Sequence, residues 1–354
     1  MRKLQTILLV LGIGFFIYLL ARIGVRELGR ELAGLGWGLV PLVLAEGMAE
    51  MIHTVGWRYC LTGPLRTISW LSLFHIRIAG YAINYLTPTA ALGGEVTKTV
   101  LLASRHRGPE AATGVVVDKV CLALAHLLVV AIGAPLVLWQ ARMPRPIWAA
   151  MLAGGLLLAV GIGTFLWLQQ HGLLGGLIRR LAVRFPRSAP LQSAARQFTV
   201  LDEALQRFHR EHPKDLFRSI AWHVAGFAVG ILQTWFFLRL LHPDAALLGA
   251  TTAWFIGLWF DLLTFAVPLN AGALEGTRIA ALQAVGYTAV AGLTFGFVNR
   301  LAQMLCAGYG LAAYAWLISR NGSRGLPDPR ELPETPGGPN TMPAALNRNA
   351  RSPL

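Results

Sequence analysis

The length of its apolar runs constrains this chain more than any other feature. A helix needs ~20 residues to cross a ~30 Å hydrocarbon core. Runs of that order lie near residues 4–21, 38–60, 112–138, 147–168, 218–241 and 288–318. Only 14% of the residues are charged, against about 25% in an average soluble domain. The runs are therefore read as about six full spans of an all-α polytopic membrane protein. Arg2 and Lys3 precede the first run, but it continues into Ala21, Arg22 and Ile23 without a small-residue cleavage pattern, so it is expected to stay attached as an anchor rather than be removed as a signal. Cys60, Cys121 and Cys306 fall in or beside these spans. Their spacing suggests no disulfide framework and no metal site, and they are expected to act as small packing residues.

The net charge of +14 is scattered over loops instead of forming one basic face, which argues against nucleic acid as a partner. Its use is topological. The loop 169–217 carries Arg179, Arg180, Arg184, Arg187, Arg196, Arg207, Arg210 and Lys214, whereas 242–246 has no Lys or Arg. The positive-inside rule places the long loop, and with it both termini, on the cytoplasmic side. Within that loop Leu191, Ala194, Ala195, Phe198, Leu201, Leu205 and Phe208 mark one helical face. Such a helix lies either on the inner leaflet or against the protein's own cytoplasmic surface. After the membrane domain, 1–320, the segment 321–354 is rich in Pro, Gly, Asn and Arg with few large apolar residues, a composition that predicts disorder.

Two further apolar stretches, 69–102 and 247–286, are interrupted at Thr87-Pro88 and at Pro268-Leu269-Asn270. Proline removes a backbone donor and clashes with the preceding turn, so each stretch is predicted to be a pair of helices meeting at a broken tip. The breaks begin matching phrases, PTAALGGEVTK from Pro88 and PLNAGALEGTR from Pro268. Pro88/Pro268, Ala91/Ala271, Glu95/Glu275, Thr97/Thr277 and Lys98/Arg278 agree without a gap. With the loop charges as given, the two broken or re-entrant hairpins enter the membrane from opposite faces and form an inverted repeat. That plan recurs in transporters, whose midplane site faces each side in turn, and unwound backbone at that depth must be buried in protein or line a wet cavity.

An ionisable residue at the centre of a span costs ~2.5–3.5 kcal/mol on insertion scales and usually faces a cavity or a partner. Glu46, Glu50 and His53 share one face of the second span, Asp118 and Lys119 open the third, Asp261 precedes the second break, and Asn299, Arg300 and Gln303 share a face of the last span. One reading makes Glu50, Glu95, Asp261 and Glu275, balanced by Lys98, Arg278 and Arg300, the lining of a central groove. Pro88, Gly93, Gly94, Pro268, Asn270 and Gly272 then supply the hairpin breaks. The other reading makes the charges structural ion pairs, Glu95 with Lys98 and Glu275 with Arg278 at one-turn spacing. His126 and His223 are expected to be buried hydrogen-bonding groups.

NYLTPTAALGGEVTKTVLL and, much later, PLNAGALEGTRIAALQAVG resemble the two signatures of the lysylphosphatidylglycerol synthase transmembrane family, also described as flippase-like membrane proteins. Pro88, Gly94, Glu95 and Lys98 match the first signature; Pro268, Gly272, Glu275 and Gly286 match the second. The similarity covers roughly residues 1–320, and its short motifs are correctly ordered and separated. The resemblance implies lipid handling in a bacterial cytoplasmic (inner) membrane, since a domain of this type is thought to move an aminoacylated phospholipid between leaflets. The full-length synthases continue into a soluble aminoacyl-transfer domain, where this chain has a proline-rich tail, so it is not expected to make lysylphosphatidylglycerol by itself. Stand-alone members include ones associated with hopanoid and other polyprenoid pathways, and the Gly93-Gly94-Glu95 form is nearer to those.

The leading expectation is a transporter for a phospholipid, an aminoacylated lipid or a polyprenoid-linked substrate, with the headgroup in the groove and the chains in lipid. Lys98 and Arg278 would face a phosphate, and Glu95 and Glu275 a cationic headgroup or a coupling proton. The rivals are an intramembrane lipid-modifying enzyme and an accessory subunit that recruits a soluble synthase. The sequence offers no Ser-His-Asp set that can be placed together, no His-Glu-x-x-His metal site and no phosphate-binding loop of the ATPase kind. It implies neither metal nor cofactor, and energy coupling is expected to be passive, ion-driven or supplied by another subunit.

Overall fold

The computed structural model describes residues 24–87, 92–105, 110–140, 145–170, 205–264 and 272–322, with isolated residues at 14–22, 183–184 and 203. Their regular structure is helical throughout, without a strand among the described residues. Helix α1 (Val25–Leu35) passes through a 3-10 turn, Gly36–Gly38, into α2 (Leu39–Tyr59). Helices α3 (Trp70–Leu86) and α4 (Leu92–Ala103) form the first hairpin, and α5 (Glu110–Gln140) and α6 (Arg145–Gln170) follow. After α7 (Pro213–Leu241), α8 (Leu247–Thr264) and α9 (Ala273–Ala284) form the second hairpin, and α10 (Ala289–Gly322) closes the order.

Four stretches among the described residues are long and apolar enough to cross a membrane: Val25–Tyr59, Glu110–Gln140, Pro213–Leu241 and Ala289–Arg320. They cover, to within one residue at an end, the expected spans at 38–60, 112–138, 218–241 and 288–318. The run at 147–168 folds within α6, whose shorter apolar stretch is Leu152–Gly161. Most of the run at 4–21 lies outside the described residues, as do Pro88, Pro268, Asn270, most of the 169–217 loop and the tail from 323 onward.

Local chemistry sets the helix ends. The Ser69 hydroxyl accepts the backbone N–H of Ser72 at 3.3 Å and starts α3. Pro213 occupies the first turn of α7, with Asp215 beside it to complement the helix dipole. Gly272, at φ 68°, turns the chain into α9, a left-handed conformation that side chains resist.

Helices α2 and α7 form an antiparallel spine. Gln233 donates to the carbonyl of Leu42 at 2.7 Å near one end. His53 meets His223 at 2.9 Å in the middle, and Arg66, just beyond α2, binds Asp215 at 3.0 Å near the other end. The first hairpin leaves from the C-terminal end of α2 and the second from the C-terminal end of α7. Because the spine is antiparallel, the two hairpins start from opposite ends of the bundle, the relation that the repeated phrases lead one to expect. Helix α10 runs against both hairpins, with Gly310 beside the carbonyl of Ile78 on α3 and Gly296 beside Glu275 on α9.

The largest apolar cluster gathers Trp57, Leu61, Leu102, Val117 and Leu317 with Leu205 and Phe208. Of the amphipathic face expected in the basic loop, these last two residues are described, and they pack on the protein itself. Cys60 and Cys121 are buried and Cys306 is half-buried, all three free.

Candidate functional site

A cavity of about 210 Å³ lies among α2, α7, α8, α9 and α10. Glu46, Glu50 and His53 recur at steps of four and three along α2, which puts them on one helical face, and that face is one wall. Arg278, Asn299 and Gln303 supply polar groups from α9 and α10. Gly226, Gly230 and Gly257 line it too, and their missing side chains leave room for large neighbours. A Cβ on Gly257 would stand 2.7 Å from an Arg278 guanidinium nitrogen, and one on Gly226 would meet the His53 ring.

Behind the Glu50 side of this wall is a buried charge network centred on Arg77 of α3, which is 5% exposed. Its Nε donates to Glu50 at 2.7 Å and a terminal nitrogen donates to Asp118 at 3.2 Å. Asp118, 1% exposed, also accepts from Nε2 of His223 at 3.1 Å. A neutral His223 that donates from Nε2 must accept at Nδ1. Its Nδ1 stands 2.9 Å from Nδ1 of His53, so His53 donates there, and a continuous chain runs from the cavity wall to Asp118. Lys98 lies 2.8 Å from Glu95 and 3.9 Å from Asp118, with its ammonium over the Trp57 ring. Lys119, half exposed, reaches Glu95 at 3.2 Å. Among the described residues no group of three His, Cys, Asp or Glu is arranged to hold a metal ion.

The second hairpin is wired differently. Arg278 grips Asp261 of α8 with two parallel bonds, 3.1 and 2.7 Å. Glu275, fully buried, is held by Arg300 of α10 through two nitrogens, Nη2 at 2.9 Å and Nε. The one-turn pair expected at Glu95 and Lys98 is present, but the pair expected between Glu275 and Arg278 is absent. Each of those two residues turns to a helix that the linear spacing could not reveal.

Of the seven groove candidates, Glu50 and Arg278 line the cavity; Glu95 pairs with Lys98 and Glu275 with Arg300 away from its lining, and Asp261 is not itself a lining residue but holds Arg278. No lining residue comes from α3 or α4, so among the described residues the cavity sits on the second hairpin's side of the spine instead of midway between the two. The first hairpin acts on it through Arg77 and Tyr81, which bind Glu50 and Glu46. Of the break residues that are described, Gly94 lets α4 approach the carbonyl of Gly80, its own N–H donating to Asn84 at 2.6 Å. The Gly93 carbonyl accepts from Thr97 at 2.9 Å, and Gly272 makes the turn into α9.

Arg77 was missed in the sequence. Its signal was a single guanidinium inside the apolar run FHIRIAG. The expectation for His223 as a buried hydrogen-bonding group agrees with its contacts. The same expectation for His126 does not, since its Nε2 is buried without a partner among the described residues.

Long apolar helices, two hairpins starting from opposite ends and a polar cavity walled by ion pairs define a polytopic helical membrane protein with an internal polar site. The profile of the family described as lysylphosphatidylglycerol synthase TM region matches residues 5–308, and the chain belongs to that family. No curated protein and no solved structure matches it.

Proposed function

We propose that this protein moves the polar headgroup of a lipid or lipid-linked substrate between leaflets, along a path that passes through the cavity beside its second hairpin, in a bacterial inner membrane with both termini cytoplasmic. The observation that carries the reading is a cavity of about 210 Å³ lined by Glu46, Glu50, His53, Arg278, Asn299 and Gln303 inside a bundle whose helices are apolar enough to cross a bilayer. A charged headgroup in such a cavity keeps polar partners while its chains stay in lipid, which removes most of the desolvation cost of crossing. Membership of a lipid-related membrane family supports the substrate class.

The test is leaflet exchange in proteoliposomes with fluorescent anionic, zwitterionic, aminoacylated and polyprenyl-linked lipids. Wild type is expected to exchange at least one class, and Glu95→Gln/Glu275→Gln is expected to lose it while still eluting as a folded species. Exchange at the wild-type rate in the double variant overturns the part assigned to the hairpins. Glu275→Gln/Arg300→Gln, which removes both charges of the buried pair, serves as the folding control.

An enzymatic reading draws on a different observation, the His53–His223–Asp118 chain that ends at the cavity wall. A histidine oriented by a second group is the arrangement of a general base. Formation of a new lipid species from labelled lipid by the purified protein, lost in His53→Gln, would favour this reading.

A further inference from the structure

Glu50, Asp118, Glu95, Asp261 and Glu275 each form an ion pair with a lysine or arginine. Glu46, which lines the cavity one turn before Glu50, has no such pair among the described residues. Its one side-chain hydrogen bond among the described residues comes from the Tyr81 hydroxyl at 3.0 Å. The charged and titratable groups around it are Glu50 and His53 on α2, Tyr81 on α3, Asp261 on α8, Arg278 on α9 and Cys306 on α10. The guanidinium of Arg278 already serves Asp261, and that of Arg77 serves Glu50 and Asp118. Glu46 is thus the carboxylate of this region that has no ion pair of its own among the described residues: Arg278 acts on it only from a distance while gripping Asp261.

A second observation in the same cavity points the same way. Asn299 is 8% exposed, lines the cavity, and its Oδ1 has no donor among the described residues. A lone carboxylate and a lone carbonyl oxygen in one cavity ask for a group that is both positively charged and rich in N–H donors. A primary ammonium has three donors and no acceptor. The volume is several times the ~30 Å³ share of a water molecule, which gives room for an aminoalkyl headgroup but not for a pair of acyl chains.

We propose that Glu46 is an exchange site, holding a proton when the cavity is empty and surrendering it when a primary ammonium group binds between Glu46 and Asn299. A carboxylate at that depth is costly without compensation, and the two cations compensate the same charge, so they exclude one another. Written out, the protonated Glu46 carboxyl and the bound ammonium give a carboxylate–ammonium pair and one proton released to water. If the cargo is a lipid headgroup, as proposed above, its movement is coupled to one proton moving the other way. The inference rests on that reading only for the identity of the ligand.

The experiment is equilibrium binding of short-chain phosphatidylethanolamine, phosphatidylcholine and phosphatidylglycerol to the purified full-length chain, by calorimetry in buffers of different ionisation enthalpy. Phosphatidylethanolamine is expected to release about one proton per molecule bound. Its affinity is expected to rise about tenfold per pH unit where Glu46 is protonated and to level off at higher pH, as linkage of one proton requires. Phosphatidylcholine, which has charge but no N–H, is expected to bind about tenfold more weakly, and phosphatidylglycerol to release no proton. Glu46→Gln removes both the proton release and the pH dependence, and Glu46→Asp retains them. Asn299→Ala weakens binding about tenfold at an unchanged proton count.

Binding of the amine lipid without proton release, or equal release from Glu46→Gln, overturns the proposal. If Glu46→Gln does not fold, the wild-type proton count decides alone. Leaflet exchange that persists when no amine lipid binds overturns this inference and leaves the transport reading standing. Proton release on binding without any leaflet exchange does the reverse.

Discussion

Glu95 and Glu275 hold the same place in two copies of one phrase, and so do Lys98 and Arg278, yet the two hairpins use them in opposite ways. In the first, the acid and the base pair with each other along one helix and join a network buried between α3, α4 and α5. In the second they part, Glu275 to Arg300 and Arg278 to Asp261, and so tie α9 to α10 and α8. The first arrangement closes its hairpin into the core. The second leaves the base on a cavity wall. Pairing therefore follows the counter-ions that neighbouring helices offer, not the spacing within the repeat.

The comparison breaks most visibly at Asp118. Removing one partner of a buried pair costs about 3–5 kcal/mol, and Asp118 serves Arg77, His223 and Lys98 together. Asp118→Asn is expected to lower the thermal unfolding midpoint in detergent substantially. The matching change in the second hairpin, Asp261→Asn, is expected to lower it by a fraction of that, because Asp261 is 29% exposed. Equal shifts would show that the two networks are equally buried.

Next in size is Gly94→Ala. A Cβ there would run into the Gly80 carbonyl and Asn84, and overpacking costs about 1–3 kcal/mol. Gly272→Ala is expected to cost about 1–2 kcal/mol for a different reason, its left-handed backbone. The check is whether a second substitution relieves the first. Asn84→Ala is expected to recover part of the loss at Gly94 and none at Gly272, measured as shifts in the unfolding midpoint.

Exchanging the bases sharpens the contrast further. Arg278→Lys gives up a two-bond grip on Asp261 that a point charge cannot reproduce, for about 1 kcal/mol. The smallest effect is expected from Lys119→Gln, about 1 kcal/mol or less, since Lys119 is half exposed and Lys98 still holds Glu95. High salt is expected to shrink the Lys119 difference in unfolding midpoint and leave that at Asp118 nearly unchanged.

The fold was legible where physics acts locally. Run length located four spans, and prolines inside apolar stretches located two hairpins whose helices fall within 69–102 and 247–286 but for one residue, Ala103, beyond the first. The stripe Glu46, Glu50 and His53 was legible because helical periodicity alone puts the three on one face. Glu275 with Arg300 was not, because the pair is formed by two helices packing across a turn and no spacing rule spans that distance. Nor was the position of the cavity, which depends on how five helices meet. Arg77 lay between these cases: its cost in an apolar run was visible, but its partners Glu50 and Asp118 come from helices on either side of it in sequence.

Gly226, Gly230 and Gly257 line the cavity where His53, Trp254 and Arg278 press close. The bore of this site is therefore set by atoms that are absent. A methyl group at Gly230 meets the Trp254 ring and no charge, so at that position the size of the cargo can be altered independently of its electrical character.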